Sequence, residues 1–137
     1  MITETTPIDT GIARHIGSYS DAVRVPAGYE QIFVSGTPGL RADGTLPEDF
    51  REEATQAWRN VEEALHRAGA QLSDIVSVRQ WLTDADDLPT YVAVRKEVIR
   101  HKPAFMLGII PGLVWPQLRL EIEVTAALPG KRIAPTV

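Results

Sequence analysis

Arg119, Glu121 and Glu123 fall on one side of a period-two pattern over residues 117–125, and Leu118, Leu120, Ile122 and Val124 fall on the other. Side chains on a strand alternate faces, so the segment predicts a strand with one apolar and one ionisable face. Two carboxylates at i and i+2 on one face raise each other's pKa once water is removed. A carboxylate poised in that way can accept a proton from water or shuttle one. On an open sheet face the same residues would form only solvated cross-strand ion pairs. What covers the face therefore decides between chemistry and solvation.

Other familiar sets of chemical groups are missing. His15, His66 and His101 show neither HxH nor HExxH spacing, which argues against a metal site. His66 and His101 sit near expected helix ends, where a cation is favoured in any case. There is no cysteine, which excludes disulfides, thiolate nucleophiles and Cys-zinc sites. Ser35-Gly36 ends a β-rich run, but a GxSxG elbow is absent because residue 33 is Phe. Ser35 suits hydrogen bonding to a ligand, and Gly36 would let a ligand approach the backbone. The stretch Ser35-Gly36-Thr37-Pro38-Gly39 leads into a loop rather than a helix, so it does not cradle phosphate. Trp115, in a Pro-Gly loop, suits a core cover, a subunit contact or a pocket wall.

The elements that must position these residues follow from pattern. Residues 1–12 are polar and predict a frayed tail; His15-Ile16-Gly17 then leads into a first strand pair, residues 19–25 and 31–36, with a turn at Pro26-Ala27-Gly28. Residues 37–47, with two glycines and two prolines, predict a loop. Ala54, Ala57, Trp58, Val61, Ala64, Leu65 and Ala68 recur at helical spacing, with Glu52, Glu53, Glu62 and Glu63 outward and Gly69 as the stop. Residues 73–83 read as a strand. A second helix is expected from Asp86-Asp87, either of which could cap it, to about His101, with Pro89 in its first turn. Residues 104–110 predict a short strand before the closing one. The order ββ-α-β-α-ββ predicts an α+β layer: one mainly antiparallel sheet with two helices on one face.

The 137 residues point to a single domain spanning 1–137. A formal charge of −4 and the lack of a Lys/Arg-rich run or basic–aromatic stripe argue against nucleic acid. The opening residues lack the basic start and apolar stretch of a signal peptide, and no apolar run reaches membrane-spanning length. A cytoplasmic protein with no membrane association is expected.

Several short motifs occur in order. They are Ile16-Gly17-Ser18-Tyr19, Phe33-Val34-Ser35-Gly36, Glu53-Ala54-Thr55-Gln56-Ala57 with Asn60-Val61, and Ala68-Gly69-Ala70. Leu72-Ser73-Asp74-Ile75-Val76, Leu82-Thr83-Asp84, Pro103-Ala104 and Leu120-Glu121-Ile122-Glu123-Val124 complete the series. Together they resemble the RidA/YjgF family over roughly residues 14–127. The resemblance implies a chorismate-mutase-like fold, a homotrimer with ligand clefts between subunits, and hydrolysis of enamines and imines to ketones and ammonia without metal or organic cofactor. It implies that Glu121 positions the attacking water and that Tyr19 and Ser35 line the site.

One position departs from the pattern. The family's substrate-binding arginine follows the Pro-Ala pair, where this chain has Phe105; Val92 stands where the family has an asparagine. Phe cannot supply the planar fork that pairs with a carboxylate. Phe105 and Leu107 share a strand face, so the expectation is a cleft for a small neutral, aromatic or cyclic molecule. In that cleft Glu121 and Tyr19 would be catalytic, and Ser35, Gly36, Phe105, Leu107 and Trp115 would bind the substrate. The reaction expected is deamination or tautomerisation of an imine or enamine. The alternative is a non-catalytic metabolite-binding or accessory protein that keeps the trimer.

Overall fold

The computed structural model describes residues 2–130. Its strands are β1 (Thr6–Ile8), β2 (Ala22–Arg24), β3 (Tyr29–Thr37), β4 (Ile75–Leu82), β5 (Ala104–Ile109) and β6 (Leu120–Pro129), with helices α1 (Phe50–Arg67) and α2 (Leu88–Val98). The main sheet has the order β3-β6-β4-β5. β6 runs antiparallel to both β3 and β4, whereas β4 and β5 are parallel and joined through α2. β1 and β2 form a separate antiparallel pair. The architecture is the α+β layer expected from the pattern.

Both helices cover the face on which β6 places Leu120, Ile122, Val124 and Ala126 and β4 places Val78, Gln80 and Leu82. α1 begins where the Asp49 carboxylate accepts from the Glu52 N–H, and it ends before Gly69 at φ 84°. Of the predicted stripe Ala54, Ala57, Trp58, Val61 and Leu65 are buried, joined by Phe50, whereas Ala64 and Ala68 are exposed. The other sheet face has no helix on it.

Several expectations change. The first strand pair predicted over residues 19–25 and 31–36 does not form: β2 pairs with β1, inside the expected frayed tail, β3 pairs with β6, and residues 13–15 make a 3-10 turn. The Asp21 carboxylate ties this segment down by accepting from the Thr10 and Ala13 N–H groups at 2.7 and 2.9 Å. Neither Asp86 nor Asp87 caps α2. The Asp84 side chain accepts from the Asp86 N–H in a preceding 3-10 turn. α2 stops at Val98 rather than near His101, because Ile99 turns extended and is buried. Glu53, expected outward, is fully buried and bound to Arg119.

Candidate functional site

Alternation on β6 places Glu121 and Glu123 on the helix-free face. Arg119 leaves that group: it precedes β6, its Nε reaches Glu53 Oε1 at 2.7 Å, and its N–H donates to Glu53 Oε2 at 2.9 Å. The ion-pair partner of Glu123 is Arg79 of β4, at 2.9 Å. Cross-strand pairing sets Glu121 opposite Trp81 and Glu123 opposite Arg79. A register shift between Val34 and Thr37 brings Gly36 onto Glu121, and a Cβ at Gly36 would lie 2.8 Å from Glu121 Oε2. The glycine is there because the carboxylate occupies the space of a side chain. Loss of water, then the charge of Glu123, raises the Glu121 pKa above the usual carboxylate value. Ser35, one residue before that glycine, lines a neighbouring groove of about 380 Å³ with Phe33, Arg79 and Glu123 rather than with Glu121.

A second cluster forms at the sheet edge. Ser20 N–H and Oγ donate to the Pro103 and Lys102 carbonyls, and this pins Tyr19 to the start of β5. Tyr19 stacks on Phe105 with centroids 5.6 Å apart and an interplanar angle of 27°. Tyr19, Phe105, Leu107 and Val92 line a largely apolar cavity of about 430 Å³ between α2 and β5. Trp115 lines neither this cavity nor the groove, and stands 46 % exposed in the loop before β6.

Within one chain the two clusters are separate. β5 pairs Phe105 with Val78 and Leu107 with Gln80, so both point to the helix side, while Glu121, opposite Trp81, points to the other. The expectation that Glu121 and Phe105 border a common crevice therefore fails inside a single subunit.

The expectation of an uncharged cavity wall also fails. Arg95 of α2 places its guanidinium 4.4 Å from the Phe105 ring centroid and lines the same cavity. It is 7 % exposed; its Nη1 donates to Gln80 Oε1 at 3.2 Å, and that oxygen also accepts from the Tyr91 hydroxyl at 2.6 Å. Burial lowers the Arg95 pKa from its ordinary value, and the nearby tyrosines act against that shift. Sequence spacing overlooks Arg95 because it occupies an otherwise apolar helix face, beside Tyr91 and Val94. Its signal was a lone arginine at i+4 from a core tyrosine.

Among the described residues no cluster of His, Asp or Glu is arranged to hold a metal ion, and no helix is long and apolar enough to cross a membrane. The family model described as Endoribonuclease L-PSP matches residues 12–128. The chain is 31 % identical to the RutC family protein YjgH of Escherichia coli K12, over 81 % of this chain and 83 % of that protein. It is 33 % identical to 2-iminobutanoate/2-iminopropanoate deaminase of Bos taurus, over 81 % of this chain and 80 % of that one. The crystal structure of RidA from Psychrobacter sp. PAMC 21119 shares the fold with a TM-score of 0.69 at 27 % identity, over 82 % of this chain and 90 % of that chain. With the fold, the ordered motifs and these matches in agreement, the chain belongs to the Endoribonuclease L-PSP family, the RidA/YjgF family of enamine/imine deaminases.

Proposed function

We propose that the chain is a cytoplasmic, homotrimeric hydrolase of small imines or enamines. Each site would form between subunits, from the Glu121–Gly36–Ser35 cluster of one and the Tyr19–Phe105–Leu107 cavity of the next. The observation that carries this reading is the separation of the two half-sites. One holds a partly desolvated carboxylate without a cavity wall, and the other holds a largely apolar cavity without a base. The helix-free face supports assembly, since Phe33 is 74 % and Met106 52 % exposed on it. Trp115 would close the cleft from its loop.

In this reading Glu121 takes a proton from water as the oxygen adds to the iminium carbon, giving a carbinolamine. The proton then passes to nitrogen, and as the C–N bond breaks Glu121 takes the hydroxyl proton, so that ammonia leaves with a ketone. Tyr19 and the Ser35–Gly36 strand end orient the ligand, whose apolar body packs on Phe105 and Leu107. The 33 % identity to the 2-iminobutanoate/2-iminopropanoate deaminase of Bos taurus supports imine deamination as the reaction class. The neutral ligand expected from Phe105 loses its premise, because Arg95 stands beside that ring.

Ammonia release from freshly generated 2-aminoacrylate and from aromatic imines tests the reaction. Glu121→Ala should lower the rate by roughly 10²–10⁴-fold, as for loss of a general base. Ammonia release no faster in the parent than in Glu121→Ala would leave a non-catalytic ligand-binding trimer instead.

A further inference from the structure

Arg95 stands between two cavities. On one side is the apolar chamber of about 430 Å³; on the other is a cavity of about 300 Å³ lined by Arg95, Lys96, Arg100, His101 and Lys102. Neither contains an acidic lining residue, and Ser18 and Phe105 border both. Among the described residues, Arg95, Lys96, Arg100 and Lys102 take part in none of the salt bridges. His101 is tied through Nε2 to the Ile75 carbonyl at 2.8 Å and serves as wall.

A helix C-terminus attracts cations in any protein, since its unpaired carbonyls carry about half a negative charge. That does not account for four cations. It accounts least for Arg95, which is almost fully removed from water while its partners are an amide oxygen and two aromatic rings. A buried charge ordinarily has a counter-charge. Here no carboxylate among the described residues pairs with it, and the two cavities that it lines open its guanidinium to an anionic ligand.

We propose that the two chambers together bind a phosphorylated small molecule, its apolar body against Tyr19, Val92 and Phe105 and its phosphoryl group beyond Arg95 among Lys96, Arg100 and Lys102. One carboxylate would be satisfied by the Arg95 fork alone. A phosphoryl dianion, with three acceptor oxygens, uses the fork and further point charges together. The inference rests on the proposed cleft for where the reacting carbon lies, and names the substrate class of that site.

Titration calorimetry of the full chain with phenyl phosphate, benzoate and benzyl alcohol tests it. Phenyl phosphate should bind roughly tenfold or more tightly than benzyl alcohol, and added salt should weaken that preference. Arg95→Met should abolish the preference and leave benzyl alcohol binding. Should that buried substitution fail to fold, the exposed pair Lys96→Ala/Lys102→Ala carries the test, with a loss confined to phenyl phosphate. Benzoate binding as tightly as phenyl phosphate, or a preference that survives the folded variants, overturns the proposal. So does binding of a single-stranded oligonucleotide while phenyl phosphate stays silent. Glu121→Ala should retain phenyl phosphate affinity, so loss of the hydrolase reading and loss of this one give different results.

Discussion

Gly36→Ala should separate the geometry of Glu121 from the stability of the fold. A Cβ at residue 36 would meet Glu121 Oε2 at 2.8 Å, so the carboxylate must retreat by about 0.6 Å to reach ordinary contact at 3.4 Å. The backbone pays nothing, because Gly36 is not among the glycines at positive φ. Reducing the freedom of the unfolded chain should stabilise by about 0.4–1 kcal/mol, and an off-rotamer Glu121 should cost about 0.5–1.5 kcal/mol. Net stability should therefore stay within about 1 kcal/mol of the parent. Activity should not: a misplacement of about 1 Å can cost about a hundredfold, so about 0.6 Å predicts a loss of roughly tenfold in kcat/KM. Urea midpoints at constant slope and steady-state ammonia release measure the two effects. An unchanged kcat/KM would refute the placement of Glu121 at the reacting centre. A stability loss above about 3 kcal/mol would refute the reasoning that residue 36 tolerates a methyl group.

The ion pair at the start of β6 should respond asymmetrically. Arg119→Ala leaves the fully buried Glu53 carboxylate without its partner and should cost about 3–5 kcal/mol. Glu53→Gln should cost about 1–3 kcal/mol, because the half-exposed guanidinium keeps the Pro47 and Glu48 carbonyls. Equal shifts in denaturant midpoint would contradict this. Glu123→Gln tests the electrostatics of the base. Only the ionised Glu121 accepts a proton, so activity rises with pH through its raised pKa. Removing the neighbouring charge lowers that pKa and moves the acid limb of kcat/KM to lower pH. An unmoved limb, or one moved upward, would exclude coupling between the two carboxylates.

Periodicity read the layers correctly because it reports burial along one element at a time. The alternation that put Leu120 and Glu121 on opposite faces, and the stripe from Ala54 to Leu65, are local properties of strand and helix. The same locality explains the errors. Glu53 looked outward because nothing in its helix reveals that Arg119, 66 residues away, reaches it. His101 suits a helix terminus and Pro103 forbids a helix beyond it, so pattern alone ends α2 late, whereas Ile99 turns extended and buried and stops it sooner. Arg95 and Lys96 look like ordinary solvated positions, as do Arg100 and Lys102. They become one cavity wall only when the chain turns at Ile99 and returns as β5.

By itself, then, the sequence determined the order of the elements from β3 onward, the apolar face of the sheet and the presence of a carboxylate at residue 121 opposite that face. Which residues meet was decided only in three dimensions. Strand pairing sets Phe105 behind the sheet from Glu121 and α2 carries Arg95 onto Phe105, since contacts between elements depend on register and crossover, which alternation along a single segment does not encode.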